Sequence, residues 1–226
     1  AGTPADPTWL GAWMAADSHA ATHVAELLAP ATLTGPSAAV SLWQHAADDA
    51  ILLAGASWPT RHIEAFAPVR TGLRVLGNRG ANGIDGLVST AYGVAAATGQ
   101  RTYALLGDVT FLYGAAGLVD LGAVAPRLTV VVLDNDGSGI FSQLEQGAAE
   151  YAEHFETIFG TPHGRDLWVV AEALGAPATR VTTRSELLAA LARTDALPGL
   201  HVIVATTGSR QAEAALLRRV AAAVQS

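Results

Sequence analysis

Two short polar segments, each directly after an apolar run, carry the residue types that bind a hard cation. Asp108 follows the run Thr102–Leu106, and Asp134 and Asn135 follow Leu128–Leu133. If both runs are neighbouring strands of a parallel sheet, their carboxyl ends place a carboxylate and an amide oxygen at one edge. With a nearby backbone carbonyl, these oxygens suit Mg²⁺. Each segment alone is also typical of a turn, because Asp or Asn before Gly favours turns.

Glycines beside these residues indicate a ligand that carries phosphate. Gly107, Gly137 and Gly139 allow backbone N–H groups to come close to an anion. A helix that we expect to begin near Thr110 or Phe111 would point its positive end at the same place. The residues alone therefore predict a Mg²⁺–diphosphate site.

The elements that must position these residues alternate along the chain. Six short apolar runs read as strands buried on both faces: Ala50–Ala54, Leu73–Leu76, Thr102–Leu106, Leu128–Leu133, Ala178–Thr182 and Leu200–Ala205. Helical patterns lie between and after them: Ile84–Ala97, Phe111–Ala123, Leu167–Leu174, Glu186–Arg193 and Gln211–Val224. This alternation predicts an α/β fold, a doubly wound and mostly parallel sheet of about six strands with helices on both faces.

The first part of the chain has a different character. An amphipathic helix is expected over Trp9–Leu28 with Thr8 as its N-cap, and a second short helix over Ala38–Ala46. We expect residues 1–35 to form a connecting helical arm and residues 36–226 to form the ligand-binding domain.

Composition excludes several classes of function. The 226 residues carry a formal net charge of −7, which disfavours nucleic-acid binding through the overall field. The chain has no Cys and its thirteen basic residues are all Arg, which excludes thiol catalysis and a phosphate-binding loop that ends in Gly-Lys. No apolar run is long enough to span a membrane and the first residues lack signal-peptide features, so we expect a cytoplasmic protein without an integral membrane segment.

Several motifs together resemble the thiamine-diphosphate-dependent enzymes. Gly107-Asp108, followed at a distance by Asp134-Asn135, is similar to their Gly-Asp-Gly and Asn-Asn motif, although Val109 replaces the last Gly and Asp134 the first Asn. The segments 78–86, 107–111, 135–142 and 161–164 resemble signatures of one branch. This branch is the MenD family, the 2-succinyl-5-enolpyruvyl-6-hydroxy-3-cyclohexene-1-carboxylate synthases of menaquinone biosynthesis.

The resemblance implies a role for each matching residue. The metal ion, Mg²⁺ or alternatively Mn²⁺, would be held by Asp108, Asn135 and the carbonyl of Gly137. The cofactor thiamine diphosphate would be held by Ser57, Ile84, Gly107, Val109, Thr110 and Asp136, with Ile84 supporting its bent shape. Substrate would contact Arg61, Arg79, Ile140, Phe141 and Leu144.

The resemblance also implies a reaction and partners. Members of the family decarboxylate 2-oxoglutarate and add the resulting succinyl carbanion to isochorismate, and both substrates are dicarboxylates that Arg61 and Arg79 would bind. A glutamate from a pyrimidine-binding domain activates the cofactor, and that domain and a middle domain would precede this chain in the full-length protein. We therefore expect no catalytic residue in this chain, little or no turnover by it alone, and a homodimer or homotetramer formed through the full-length chain.

Other interpretations of the sequence stay open. Another thiamine-diphosphate carboligase or 2-oxo acid decarboxylase would share the cofactor motif, and a non-enzymatic module for oligomerisation or regulation would share the fold. Surface ion pairs are the alternative role for the two arginines. Helix capping is the expected role of Asp85, and support of the cofactor is the alternative. His163 either contacts substrate or is a structural loop residue, and His19 and His23 read as a solvated helix face.

Overall fold

A single parallel sheet organises the chain. The computed structural model describes residues 6–78, 83–119 and 125–224. Its strands are β1 (Ile51–Ala54), β2 (Arg74–Leu76), β3 (Thr102–Gly107), β4 (Arg127–Asp134), β5 (Ala178–Val181) and β6 (Gly199–Thr206). All neighbours pair in parallel, in the order β2-β1-β3-β4-β6-β5. The predicted six-stranded α/β sheet is confirmed.

Helices surround the sheet. They are α1 (Pro7–Leu28), α2 (Gly35–His45), α3 (Trp58–Phe66), α4 (Leu87–Thr98), α5 (Asp108–Gly114), α6 (Ala152–Phe155), α7 (Leu167–Ala173), α8 (Arg184–Asp195) and α9 (Arg210–Ala223). Within the described ranges, no helix combines the length and the hydropathy needed to cross a bilayer.

Side chains of each central strand alternate between two cores. In β3, Tyr103 and Leu105 face one core, which α2, α3 and α8 cover, while Ala104 and Leu106 face a second core under α4, α5 and α7. This alternation is the two-residue period of a strand. Both faces are apolar, and each fully buried Leu contributes about 1.5–3 kcal/mol to folding. The continuous apolar runs of β1, β3, β4 and β6 follow from this two-sided burial. The prediction of burial on both faces was wrong for β2 and β5, which are the edge strands of the sheet and are largely exposed or half-buried.

Several helices begin at residues other than the predicted ones. The N-cap of α1 is Asp6, whose carboxylate accepts from the backbone N–H of Thr8, so the prediction of Thr8 as the cap was wrong. A carboxylate before a proline is a better start, because Pro at the first turn needs no N–H partner. Helix α3 was not predicted, and the sequence signal for it was Pro59 in its first turn.

The start of α5 matters most for the site. The helix begins at Asp108 rather than near Thr110 or Phe111, and it continues as a 3₁₀ turn over Ala115–Leu118. Gly107 is extended and ends β3, so the next residue already lies in the first helical turn. The carboxylate of Asp108 is therefore fixed by both the strand and the helix.

The arm and the ligand-binding domain remain a predicted division. Helix α1 packs through Leu28 against Val40 and Leu216 of α2 and α9. Trp9 and Trp13, near its other end, are 60% and 62% exposed.

Candidate metal and cofactor site

A cavity of about 440 Å³ lies at the carboxyl edge of the sheet, where β1, β3 and β4 end side by side. Most of the predicted site residues line it: Ser57, Arg61, Ile84, Gly107, Asp108, Val109, Thr110, Asn135, Gly137, Ile140, Phe141 and Leu144. Arg79 lies outside the described residues. The fold thus brings four segments that are distant in sequence into one concave surface.

Asp108 is the buried anion of this cavity. Only 3% of the residue is exposed. Its Oδ1 accepts from the N–H of Val109 at 2.7 Å, and its Oδ2 accepts from the N–H groups of Asn135 and Gly137 at 3.1 and 2.8 Å. These donors fix the carboxylate and join the end of β3 to the loop after β4.

The side chain of Asn135 differs from that of Asp108 in its hydrogen bonding. Its Oδ1 is buried and has no hydrogen-bond partner among the described residues. A buried polar oxygen without a partner costs about 1–3 kcal/mol, and a ligand bound at this position would remove that cost. A cation beside the carboxylate of Asp108 would satisfy this amide oxygen.

Gly137 completes the set of oxygens. Its φ of +132° is a conformation that other residues rarely adopt, and its carbonyl accepts one hydrogen bond from Gly139. The second lone pair of that carbonyl stays available. A carboxylate, an amide oxygen and a carbonyl are hard oxygen ligands, so the residues present fit Mg²⁺.

His163 lies against this acidic cluster. Its Nε2 is 3.3 Å from Oδ2 of Asp108 and 3.9 Å from Oδ1 of Asp134. The ligand atoms of Asp108, Asp134 and His163 all lie within 4.8 Å of one another. The Asp108 carboxylate raises the pKa of the His163 imidazole, whereas burial, followed by the charge of Asp108, raises the pKa of Asp134. The structure therefore places His163 beside the predicted metal ligands.

Asp136 lies beside the cavity and not on its described wall. Its Oδ1 accepts from the N–H groups of His163 and Gly164 at 3.0 and 2.8 Å, and its φ is +60°. Its side chain ties the loop after β4 to residues 163–164. The predicted role of Asp136 in cofactor binding stays a prediction.

The β1–α3 turn forms another side of the cavity. Ser57 has a φ of +75°, and the N–H of Thr60 donates to the carbonyl of Gly55 at 3.1 Å. Arg61, exposed on α3, donates from Nη1 to the carbonyl of Ser57 at 2.9 Å. The guanidinium is thereby held at the cavity rim and keeps donors for a carboxylate.

Asp85, for which helix capping was predicted, is exposed just before α4, and the prediction that it caps this helix was wrong. The N-cap of that helix is Gly86, in the left-handed region, and no side chain caps it.

Two aromatic contacts support the apolar side of the cavity. Trp58 is buried and its Nε1 donates to Oε1 of Gln143 at 3.0 Å. A Cβ on Gly139 would lie 2.3 Å from the indole ring, so only glycine fits there. The rings of Phe141 and Phe159 are 5.4 Å apart between centroids. These contacts fix the segment that presents Ile140, Phe141 and Leu144.

Sequence reasoning missed the contribution of α9. Glu213 lines the cavity, is 3% exposed, and its Oε1 lies 2.7 Å from Nε2 of the buried His62. His62 follows Arg61 in α3. No local pattern pairs these two residues, and the available signal was a Glu in the first turn of α9, among residues with an apolar helical pattern.

Comparison with known proteins assigns this arrangement to a family. Residues 60–205 match the family described as thiamine pyrophosphate enzyme, C-terminal TPP binding domain. Thiamine pyrophosphate is the older name of thiamine diphosphate.

Curated relatives are similar over most of the chain. The 2-succinyl-5-enolpyruvyl-6-hydroxy-3-cyclohexene-1-carboxylate synthase of Saccharopolyspora erythraea is 46% identical over 88% of this chain and 36% of its own length. The synthases of the same name from Rhodococcus erythropolis and Nocardia farcinica are 45% and 43% identical, over 91% and 95% of this chain and 38% and 40% of their own lengths. The chain thus spans well under half the length of these relatives.

A solved structure shows the same fold. It is described as a thiamin diphosphate-dependent enzyme from Mycobacterium smegmatis. The superposition has a TM-score of 0.62 at 20% sequence identity and includes 79% of this chain and 33% of the other chain. At this identity the likeness concerns the fold alone. The family match, which spans more than half of the chain, carries the assignment: the chain belongs to the thiamine pyrophosphate enzymes and contains their C-terminal TPP-binding domain.

Proposed function

We propose that this chain is the diphosphate- and Mg²⁺-binding part of a 2-succinyl-5-enolpyruvyl-6-hydroxy-3-cyclohexene-1-carboxylate synthase. Such an enzyme decarboxylates 2-oxoglutarate and joins the remaining four-carbon unit to isochorismate. The observation that carries the proposal is the convergence of Asp108, the unpaired Asn135 oxygen and Gly137 in one cavity. The similarity to curated synthases of this name supports the specific reaction.

The metal ligands proposed are Asp108, Asn135 and the carbonyl of Gly137. Gly107, Val109, Thr110 and Ser57 line the same cavity and would hold the cofactor with its diphosphate. Ile84, which is half-buried beside them, would support its rings. When bound, thiamine diphosphate supplies an electron sink for the decarboxylation.

The chain's own residues would select and orient the substrate. Arg61 presents a guanidinium at the rim, and a guanidinium binds a carboxylate through two parallel hydrogen bonds. Arg79 would hold a second carboxylate. Ile140, Phe141 and Leu144 line the cavity with apolar side chains. Such a wall would favour loss of CO₂, because the charged carboxylate of the substrate is poorly solvated there and the neutral product of CO₂ loss is not.

The proposed protein needs residues beyond this chain for turnover. The activating glutamate would come from a pyrimidine-binding domain, so we expect the 226 residues to bind the cofactor and to show little or no synthase activity. Assembly as a homodimer or homotetramer and a cytoplasmic location remain predictions.

A calorimetric titration with thiamine diphosphate tests the proposal. We expect binding by this chain in the presence of Mg²⁺ and none after chelation, because the diphosphate binds through the metal. Asp108→Ala should abolish the binding. Asp17→Ala, which removes an exposed carboxylate on α1, is the matched control and should bind as the unmodified chain does.

Two outcomes would contradict the proposal. If the chain does not bind and a chain extended to the length of the relatives also fails, the cofactor assignment is wrong. If the extended chain turns over pyruvate and not 2-oxoglutarate, the cofactor assignment holds and the synthase assignment is wrong.

A further inference from the structure

A buried arginine lies behind the loop that follows β4. Arg210 is the first residue of α9 and is 7% exposed. Its Nη2 lies 2.6 Å from Oε2 of Glu156, whose Oε1 accepts from the amide of Gln211 at 3.3 Å. Both partners of Glu156 therefore come from the first turn of α9.

Glu156 opens a short π-helical segment, Glu156–Gly160, whose end is in contact with the arginine. A Cβ on Gly160 would lie 2.2 Å from Nη1 of Arg210 and 2.6 Å from Oε2 of Glu156. The Arg210–Glu156 pair thus lies directly on the backbone of Gly160. The segment cannot shift toward α9 without moving this pair.

The other side of Gly160 contacts the loop after β4, here called the proposed metal-binding loop (residues 135–139). Its carbonyl accepts from the N–H of Ser138 at 2.8 Å. A Cβ on Gly137 would lie 2.2 Å from that same carbonyl oxygen. The position of the Gly160 carbonyl therefore constrains the turn at residues 137–138, which includes Gly137 and its proposed carbonyl ligand.

We propose that Arg210 is a positioning residue for the metal site: through Glu156 and Gly160 it sets the turn that presents the Gly137 carbonyl. The inference rests on the proposed function for its ligand. Arg210 itself does not line the cavity among the residues described there. Its guanidinium suits this task, because it is always charged and binds a carboxylate in a fixed geometry.

The test replaces Arg210 with Met and measures two quantities. Residues that orient metal ligands typically change metal affinity by about 10–100-fold when mutated. We expect Mg²⁺-dependent thiamine diphosphate affinity to fall at least about tenfold. We also expect the Ser138 amide to exchange faster with solvent, while amides in β4 and β6 keep their protection.

Controls separate positioning from general stability. Arg219→Met removes an exposed arginine from the same helix and should change neither quantity. If Arg210→Met does not fold, Glu156→Gln is the second variant, because it weakens the same ion pair at its half-exposed partner. We expect it to lower the cofactor affinity and to speed the exchange of the Ser138 amide, each by less than Arg210→Met does.

The outcomes are decisive. A folded variant of Arg210 or Glu156 that retains either the cofactor affinity or the Ser138 protection overturns the inference. If the unmodified chain and the extended chain both fail to bind thiamine diphosphate, the proposed function is wrong. The positioning role is then tested by hydrogen exchange alone, and an unchanged exchange rate of the Ser138 amide in Arg210→Met overturns it.

Discussion

Backbone strain at the residue scale is concentrated around the candidate site. The non-glycine residues with positive φ in the described ranges are Ser57, Asp136 and Thr161. Ser57 lines the cavity, Asp136 belongs to the proposed metal-binding loop, and Thr161 ends the segment packed on that loop. Such conformations cost about 1–3 kcal/mol each and persist only where surrounding contacts determine them. The loop geometry is therefore maintained by its neighbours.

Gly137 provides a residue-scale prediction. Gly137→Ala should lower the free energy of unfolding by more than about 3 kcal/mol, because it adds an unfavourable φ and a clash with the Gly160 carbonyl. Gly99→Ala is the matched control: its φ is +67° but nothing lies within 4 Å of its Cβ position, so it should cost about 1 kcal/mol. Urea denaturation of both variants measures the difference.

Equal losses in the two variants would contradict this explanation. That result would mean that the loop moves away from residue 160 at little cost and that the close approach of the two backbones does not determine its shape.

The start of α8 is a feature at the element scale that local sequence determines. Thr183 lies three residues before Glu186, which is the sequence spacing of a capping box, and the structure forms that box at the start of α8. Each side chain accepts from the backbone N–H of the other residue. The helix then buries Leu187 and Leu191 against the sheet. The local sequence was sufficient here because a capping box involves residues three positions apart.

The capping box gives a prediction with a pH dependence. Thr183→Ala should cost about 1 kcal/mol of stability. The N–H of Thr182, followed by its hydroxyl, lowers the pKa of Glu186 below its usual 4.5, so Glu186 stabilises the fold above that pH and loses this effect as the pH falls through the lowered pKa. Glu186→Gln should therefore lower the melting temperature at pH 7, with a deficit that shrinks in acid.

Thr22→Ala is the control for Thr183→Ala, because it makes the same substitution at an exposed position in the interior of a helix. It should leave stability unchanged or slightly higher, since Ala is the better helix former. A Glu186→Gln deficit that stays constant from pH 7 to pH 3 would show that the lowered pKa is not linked to folding.

Strand order determines the site at the scale of the whole molecule. Because β1, β3 and β4 are adjacent, residues that follow each of them meet, although the helices between them separate them in sequence. Helix α9 then closes the arrangement from the end of the chain. Its Glu213 contacts His62 of α3, and both residues are nearly fully buried.

The His62–Glu213 pair gives a whole-molecule prediction. Glu213→Leu should cost about 3–5 kcal/mol, because it leaves His62 buried without its partner. The double variant His62→Leu/Glu213→Leu should lose less than the sum of the two single variants, since neither polar group is then left unpaired. Denaturant unfolding of the four proteins gives the coupling energy.

Additive losses in this cycle would show that the two residues act independently. Arg219→Leu, which replaces an exposed residue on the same helix, is the control. It should have little effect on the free energy of unfolding, whether it is made in the unmodified chain or in a variant of the pair.

The sequence alone determined the α/β class, the six strands, the capping box and most of the site residues that were predicted and that line the cavity. These features depend on short-range patterns: apolar runs, turn residues and motifs within a few positions of one another. The tertiary structure decided that Asp108 begins a helix, that the Asn135 oxygen is unpaired, that His163 lies against the acidic cluster, and that Arg210 and Glu213 support the site. These facts depend on contacts between elements far apart in sequence, whose partners are set by the strand order and by which face each helix buries. A pattern along the sequence contains neither the strand order nor the identity of the residues that each helix face contacts.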